Sequence, residues 1–523
     1  MRINIIQELN LVSTPDEFRH FISQLRVICS NEKSINIENL IDQAIAKNKI
    51  YGNNKTLIDL FDLKIRQIYH FKDRIHEALE ILSKMRSLSK ISDYSTGLAL
   101  SEQLSWHVEK LLGNKARSFE SIKNAMKITE SSDVDEYAKN FCRYSYAVEN
   151  WLRYRDYECA NMLEESADFF YSEGFFHGLV GTLGILTIIY QQTQNKQQSM
   201  KLTKKILRKD NLFRKLPKEL QSTICFFIGF SNELSLNLRE AEMYLLKSQI
   251  ILKPIYGKSI YSGYYLTTLS YLTATYALQG KLELALKQMK EVEELVIEGI
   301  ATKNLDSFGI EQTLHIFNLS KFYINSRLSN FTIEIEQELV QSILDNLDKY
   351  YSNPIMFSEF LLNANLTKEQ LIKIKNLKNP STRRVEHIIN FLVEKTVHTE
   401  EQQILRYTTI LQKRLMVERM TYIEKAFADL LAAQEYYKIG RFSEIYPLLK
   451  KHKNQLDRIE VLEMRIFMEA FIQAGEFNNG DPLAPALHFM AIKRCREHNF
   501  TRLEETLLDH QQTLRRIALN RLV

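Results

Sequence analysis

Between Pro15 and Pro217 the chain contains no proline at all. Proline removes a backbone donor and clashes with the preceding turn, so it ends helix interiors, and glycine weakens them. The full 523 residues hold only 8 prolines and 16 glycines, against usual shares of roughly 5% and 7%. A chain this poor in both can be helical along its whole length, and no convincing run of alternating apolar and polar residues marks a strand. Local signals agree. Thr14-Pro15-Asp16-Glu17, Thr367-Lys368-Glu369-Gln370 and Thr399-Glu400-Glu401-Gln402 each place a capping hydroxyl three residues before an acid or amide that can reach back. An all-α fold is predicted.

The helices fall into a repeat. Tyr271-Leu272-Thr273-Ala274-Thr275-Tyr276-Ala277-Leu278-Gln279-Gly280 ends in a residue suited to a left-handed helix stop, and a second helix follows from Lys281 with Ala285 in its first turn. Leu111-Leu112-Gly113, Asn237-Leu238-Arg239-Glu240-Ala241 and Tyr436-Tyr437-Lys438-Ile439-Gly440 repeat the pattern. The small residues after successive turns are Ala78, Ser118, Ala160, Ser199, Ala241 and Ala285, spaced by 40, 42, 39, 42 and 44. A small side chain at that place lets two helices of a pair approach. One pair cannot bury its apolar face alone, so such pairs must stack.

The Leu…Tyr…Leu-x-Gly…Ala order resembles the tetratricopeptide repeat, and Gly178 to Tyr190 looks like a first helix of that kind. The family unit is about 34 residues; the longer spacing here is similar to the long-helix variety of bacterial regulatory proteins. The likeness covers about Asn54 to Glu298 and returns at about Ala426 to Glu476. It implies a right-handed α-solenoid of antiparallel helix hairpins with an additional C-terminal helical region. The expected organisation is an N-terminal helical cap at 1–50, a solenoid at 51–300, an irregular connector at 301–382 and a C-terminal helical region at 383–523.

No catalytic pattern stands. Gly257-Lys258-Ser259 ends like a phosphate loop, but the position of the loop's first glycine is Leu252 and no strand leads in. His76-Glu77-Ala78-Leu79-Glu80 begins like a zinc-protease helix, but Glu80 replaces the second histidine. The five cysteines, Cys29, Cys142, Cys159, Cys225 and Cys495, form no CxxC pair and read as buried thiols in a reducing compartment. No catalytic residue, cofactor or metal is expected. The most apolar run, Leu179 to Tyr190, is short of the roughly twenty residues of a membrane span. With no signal-peptide pattern at the N-terminus, the expectation is a soluble cytoplasmic protein.

In such a repeat the first helices line a concave surface. That register places Gln103, His107, Glu149, Arg153, Gln192 and Glu233 on it. A tyrosine-rich stretch adds Tyr264 and Tyr271, since tyrosine is favoured at interfaces, although most such tyrosines serve helix packing. The leading expectation is therefore a non-catalytic scaffold, adaptor or regulatory sensor that holds a protein or peptide in its groove, or a subunit of a larger defence or secretion assembly. A second reading is nucleic-acid association. Lys201, Lys204, Lys205 and Arg208 share one helical face, and Lys209, Arg214 and Lys215 follow, against the single acid Asp210. The same residues would equally serve as a solvated outer face, and the net charge of +5 does not by itself select a partner.

Overall fold

Helix ends in this chain are built by local backbone chemistry, and the same turn recurs. After Leu278 the chain enters the left-handed region at Gly280 (φ 74°), the Lys281 amide donates to the Tyr276 carbonyl at 2.9 Å, and the Gly280 amide donates to the Ala277 carbonyl at 3.0 Å. These two bonds satisfy carbonyls that a helix terminus otherwise leaves unpaired. The same pair closes the turns at Asp93, Gly113, Gly174, Leu236, Gly440, Gly480 and Asn499. Leu236 is the exception in kind: a branched, buried residue at φ 59°, a conformation costing about 1–2 kcal/mol that its burial offsets. At the other end of a helix, the Thr14 and Thr367 boxes form as predicted. The Glu17 amide donates to Thr14 Oγ1 at 3.3 Å and the Thr14 amide to Glu17 Oε2 at 3.0 Å. Gln370 and Thr367 exchange the equivalent bonds at 3.2 and 2.8 Å. The Thr399 box lies outside the described residues.

The computed structural model describes residues 2–31, 35–69, 74–131, 133–154, 156, 158–192, 212–256, 262–298, 310–328, 333–345, 354–375, 390–393, 409 and 422–522. Among them there is no strand; the fold is all-α, and many helices pack against their neighbour in the chain. In order these are α1 (Arg2–Leu11), α2 (Pro15–Asn31), α3 (Ile35–Tyr51), α4 (Asn54–Ile68), α5 (Ile75–Ile91), α6 (Ser95–Leu111), α7 (Lys115–Ile128), α8 (Glu136–Tyr154), α9 (Cys159–Ser172) and α10 (Phe176–Gln192). After the short α11 (Leu212–Lys215) come α12 (Lys218–Leu234), α13 (Leu238–Leu252), α14 (Ser262–Leu278), α15 (Leu282–Glu298), α16 (Ile310–Asn325), α17 (Ile333–Leu344), α18 (Pro354–Asn363) and α19 (Lys368–Lys375). The last are α20 (Tyr422–Lys438), α21 (Phe442–Lys450), α22 (Leu462–Asn478), α23 (Ala484–Glu497) and α24 (Thr501–Leu522).

The small residues that define the repeat are buried where helices meet: Ala78, Ser118, Ala160, Ala241 and Ala285. Ser118 also donates to the Trp106 carbonyl of α6 at 3.1 Å, tying α7 to its partner. Ser199 lies outside the described residues. The apolar run Leu179 to Tyr190 sits within α10, where eight of its side chains lie in the hydrophobic core, namely Leu179, Val180, Leu183, Ile185, Leu186, Ile188, Ile189 and Tyr190, with the polar but buried Thr182 and Thr187 beside them. No helix among the described residues is long and apolar enough to cross a membrane.

The chain divides into two compact units. Unit 1 comprises Met1–Ser231, Lys247–Leu266 and Leu295–Ile310, and unit 2 comprises Asn232–Leu246, Thr267–Glu294 and Glu311–Val523. In unit 1 the N-terminal helices share one core with α4, through Phe18, Phe21, Leu25, Ile41, Leu60 and Leu63. Helix α2 reaches well beyond that neighbour. Gln67 of α4 donates to its Cys29 carbonyl at 3.1 Å, and Asn31 at its end brackets the start of α10, donating to the Gly174 carbonyl and accepting from the Phe176 amide, each at 2.8 Å.

Candidate functional site

The register that predicted a polar inner face brings the first helices of unit 1 together residue by residue. Arg66 of α4 donates through Nη2 to Gln103 Oε1 of α6 at 2.8 Å, and Gln103 Nε2 donates to Ser145 Oγ of α8 at 2.9 Å. Trp106 Nε1 of α6 donates to Glu149 Oε2 of α8 at 3.1 Å, and Arg153 Nε donates to Glu149 Oε1 at 2.6 Å. Burial opposes ionisation of Glu149, but Lys110 and the hydrogen bonds from Arg153 and Trp106 outweigh it and hold the carboxyl below the usual range. His107 is half-buried, stacked on Tyr69 with ring centroids 5.1 Å apart. The Arg153 guanidinium lies 4.5 Å over the Phe119 ring.

This placement corrects one expectation. Gln103, Glu149, Glu233 and Tyr271 do not stand on an open face; they are buried. For Gln103 and Glu149 the reason is that neighbouring first helices supply the hydrogen bonds that water would otherwise make. Tyr264 is half-buried, edge-on to Phe226 at 5.8 Å. Gln192 ends α10, and its side chain lies outside the described ones, as do Lys201, Lys204, Lys205 and Arg208 of the basic patch.

Below this layer unit 1 carries a buried ionic network that sequence reasoning missed. Arg26 of α2 pairs with Asp59 at 3.0 Å and Asp135 at 3.1 Å, and Arg66 grips Asp62 through Nε at 2.9 and 3.1 Å. Tyr137 donates to Asp62 at 3.1 Å and Tyr94 to Asp59 at 3.1 Å. Burial dominates at Asp59 and pushes its carboxyl up to about 6 despite Arg26. Asp59, Asp62 and Arg66 stand at i, i+3 and i+7 on α4, which is the one local signal of the network.

Unit 2 contains a cavity of about 80 Å³, lined from α16, α18, α20, α22 and α24 and the residues beside them. Its apolar wall includes Phe427, Leu430, Met464, Phe467 and Leu503, and its polar floor is Arg327 with Glu359 and Glu463. Arg327 Nη2 donates to Glu359 Oε2 at 2.7 Å and Nε to Glu463 Oε2 at 2.9 Å, and the guanidinium carbon sits 3.6 Å above the Tyr323 ring. Tyr323 donates its hydroxyl to Glu463 Oε2 at 3.0 Å, and Asn363 donates to Glu359 Oε2 at 3.1 Å. Every one of these bonds uses Oε2. Two carboxylates thus share one guanidinium. Burial, acting against Arg327, holds the Glu359 carboxyl above its usual range.

Other reactive side chains are held in the interior. All five cysteines are buried, and burial pushes the thiols of Cys142, Cys159, Cys225 and Cys495 up. Among the described residues no three His, Cys, Asp or Glu side chains gather as metal ligands. His488 of α23 and His510 of α24 lie side by side, with ring centroids 5.5 Å apart. Neither His488 nitrogen, nor His510 Nδ1, has a hydrogen-bond partner, and burial pushes both rings down to about 4. The unfolded chain takes up these protons near pH 6.5, so stability that is full above 6.5 is lost as pH falls toward 4. At pH 5 this amounts to about 2 kcal/mol per histidine. Urea midpoints followed by circular dichroism are expected to fall between pH 7 and pH 5, and the drop should shrink in the His488→Phe/His510→Phe variant.

The chain matches no protein-family model and no curated protein sequence.

Proposed function

We propose that the protein is a non-catalytic helical-repeat scaffold of the cytoplasm, a right-handed solenoid of antiparallel hairpins of the tetratricopeptide kind. It binds a segment of a protein partner and holds a basic side chain of that segment in the Arg327–Glu359–Glu463 cavity of unit 2. The observation that carries this reading is the cavity's charge: two carboxylates to one guanidinium, in a walled space of about 80 Å³. A space of that size admits the end of one side chain rather than a cofactor, since ligand pockets for drug-sized molecules run to about 300 Å³ or more. A primary ammonium would meet the unused carboxylate oxygens while its methylene stem lies on Phe427, Leu430 and Phe467.

The test uses three capped alanine pentapeptides with a central lysine, norleucine or glutamate, titrated calorimetrically into the full chain. The lysine peptide should bind at least about tenfold more tightly than the norleucine one, a difference of about 1.4 kcal/mol, with no measurable binding of the glutamate one. Glu359→Gln should remove that preference. Because the cation favours ionised Glu359 and that carboxyl is raised, the lysine preference should weaken as pH falls through the acidic range. Equal binding of all three peptides, or none by any, sinks the reading.

A further inference from the structure

Helix α24 meets the rest of unit 2 through one stripe. Leu503, Leu507 and His510 follow i, i+4, i+7 spacing and are its buried side chains; beyond His510 no described side chain of the helix is buried. The third anchor is thus the one residue type whose charge changes near neutral pH. Its ring sits among other rings. Phe471 of α22 stacks on it at 4.4 Å, His488 of α23 lies at 5.5 Å, Tyr437 of α20 meets it edge-on at 5.9 Å and Phe442 of α21 lies at 6.1 Å. Tyr437 also fastens this turn of α24, donating to Asp509 Oδ2 at 2.9 Å and to the Thr506 carbonyl at 3.3 Å. The helix helps to close the unit 2 cavity. Leu503 lines it, and Phe467, another lining residue, stacks on Phe471 at 4.4 Å.

This chamber suits two neutral imidazoles and not two charged ones. The face of Phe471 attracts an imidazolium, but nothing accepts from either His488 nitrogen or from His510 Nδ1, and two such charges side by side repel. No neighbouring element brings compensation. Phe442 and Phe471 carry no charge from α21 and α22, and burial keeps the Tyr437 phenol of α20 neutral. The one carboxylate acting on the pair is the exposed Asp509 of α24 itself, which opposes burial at His510. We infer that His488 and His510 form a proton-operated latch: neutral, they hold α24 against unit 2, and charged, they release it and take Leu503 out of the cavity wall. The consequence for a bound side chain rests on the cavity reading above; the latch does not. Release puts His510 in water and uncovers the side of His488 that it covers. The released form takes up these protons near pH 6.5 and the closed form only at about 4, so closure that is full above 6.5 is lost as pH falls toward 4. At pH 5 each imidazole moves the balance toward release by about thirtyfold.

The test is hydrogen exchange of the full chain at about pH 7.5 and about pH 5, read by mass spectrometry and corrected for the intrinsic pH dependence of exchange. It reads the helix itself, so it is decided separately from whether the cavity takes a lysine. Protection of the amides from Leu503 to His510 should fall at least about thirtyfold at the lower pH, while that of α22 holds. His488→Phe and His510→Phe keep the chamber filled with rings. Each should remove about half of the response on a logarithmic scale, and the two together all of it. Asp509→Asn, at an exposed position, keeps an acceptor for Tyr437 and removes the one opposing carboxylate. It should enlarge the release at pH 5 and leave protection at neutral pH unchanged. Equal α24 protection at both pH values, loss of α22 protection along with it, or an acid response that persists in the His488→Phe/His510→Phe chain would each overturn the inference. So would an acid response that Asp509→Asn does not enlarge, which decides the matter even if the phenylalanine variants do not fold.

Discussion

Replacing Arg66 by leucine is expected to destabilise unit 1 by about 3–5 kcal/mol. Arg66 donates through Nε to both oxygens of Asp62 and through Nη2 to Gln103, and its guanidinium lies 4.5 Å over the Phe141 ring. Removing it leaves Asp62, which is fully buried, with a tyrosine hydroxyl as its only remaining hydrogen-bond donor. The desolvated charge, rather than the lost contact, is what costs stability. The double variant Asp62→Leu/Arg66→Leu should therefore recover most of the loss, since neither member of the pair is then left buried without the other. Both tryptophans of the chain, Trp106 and Trp151, belong to unit 1. Tryptophan fluorescence during urea unfolding thus reads this unit alone. A double variant no more stable than Arg66→Leu would show that packing of the guanidinium, not its charge, is what matters there.

A loss of similar size, about 3–5 kcal/mol, is expected from Phe170→Ala. The Phe170 ring on α9 is fully buried and meets Phe141 at 4.9 Å, Phe169 at 5.8 Å, Tyr144 at 6.2 Å and Phe175 at 6.5 Å. Truncation leaves a cavity at the junction of α8, α9 and α10, which helices on three sides cannot collapse to fill. One neighbour offers an internal check. A Cβ at Gly178 would lie 3.1 Å from the Phe170 ring, so Gly178→Ala requires the ring to give by a few tenths of an ångström in the parent chain and should be better tolerated once the ring is gone. A double-mutant cycle by the same fluorescence measurement should give a favourable coupling between the two sites; strict additivity would mean that the ring shifts freely.

Much of the fold could be read from the sequence because its determinants are local. The scarcity of proline, the capping boxes at Thr14 and Thr367, and the buried small residues Ala78, Ser118, Ala160, Ala241 and Ala285 each act within a few residues of themselves. Two turns were hidden because Asp93 and Asn499 occupy the left-handed position that glycine takes elsewhere, while the turn at Leu236 was marked only by the helix start that follows it. The inner-face residues Gln103 and Glu149 were placed on the right helices but given the wrong exposure, since their partners Arg66, Ser145 and Trp106 come from neighbouring repeats. The unit 2 cavity was not legible. Arg327 finds Glu359 across 32 residues and Glu463 across 136, and no local spacing announces a meeting at that range.

The reach of helix α2 also sets a timetable for synthesis. Its Arg26 waits for Asp135 and its Asn31 for Gly174 and Phe176, 109 to 145 residues downstream. At about 5–20 residues per second, an emerging chain carries α2 without these partners for roughly 5 to 30 seconds. During that interval α2 has α1, α3 and α4 for shelter, and its far side is covered late, when the start of α10 arrives.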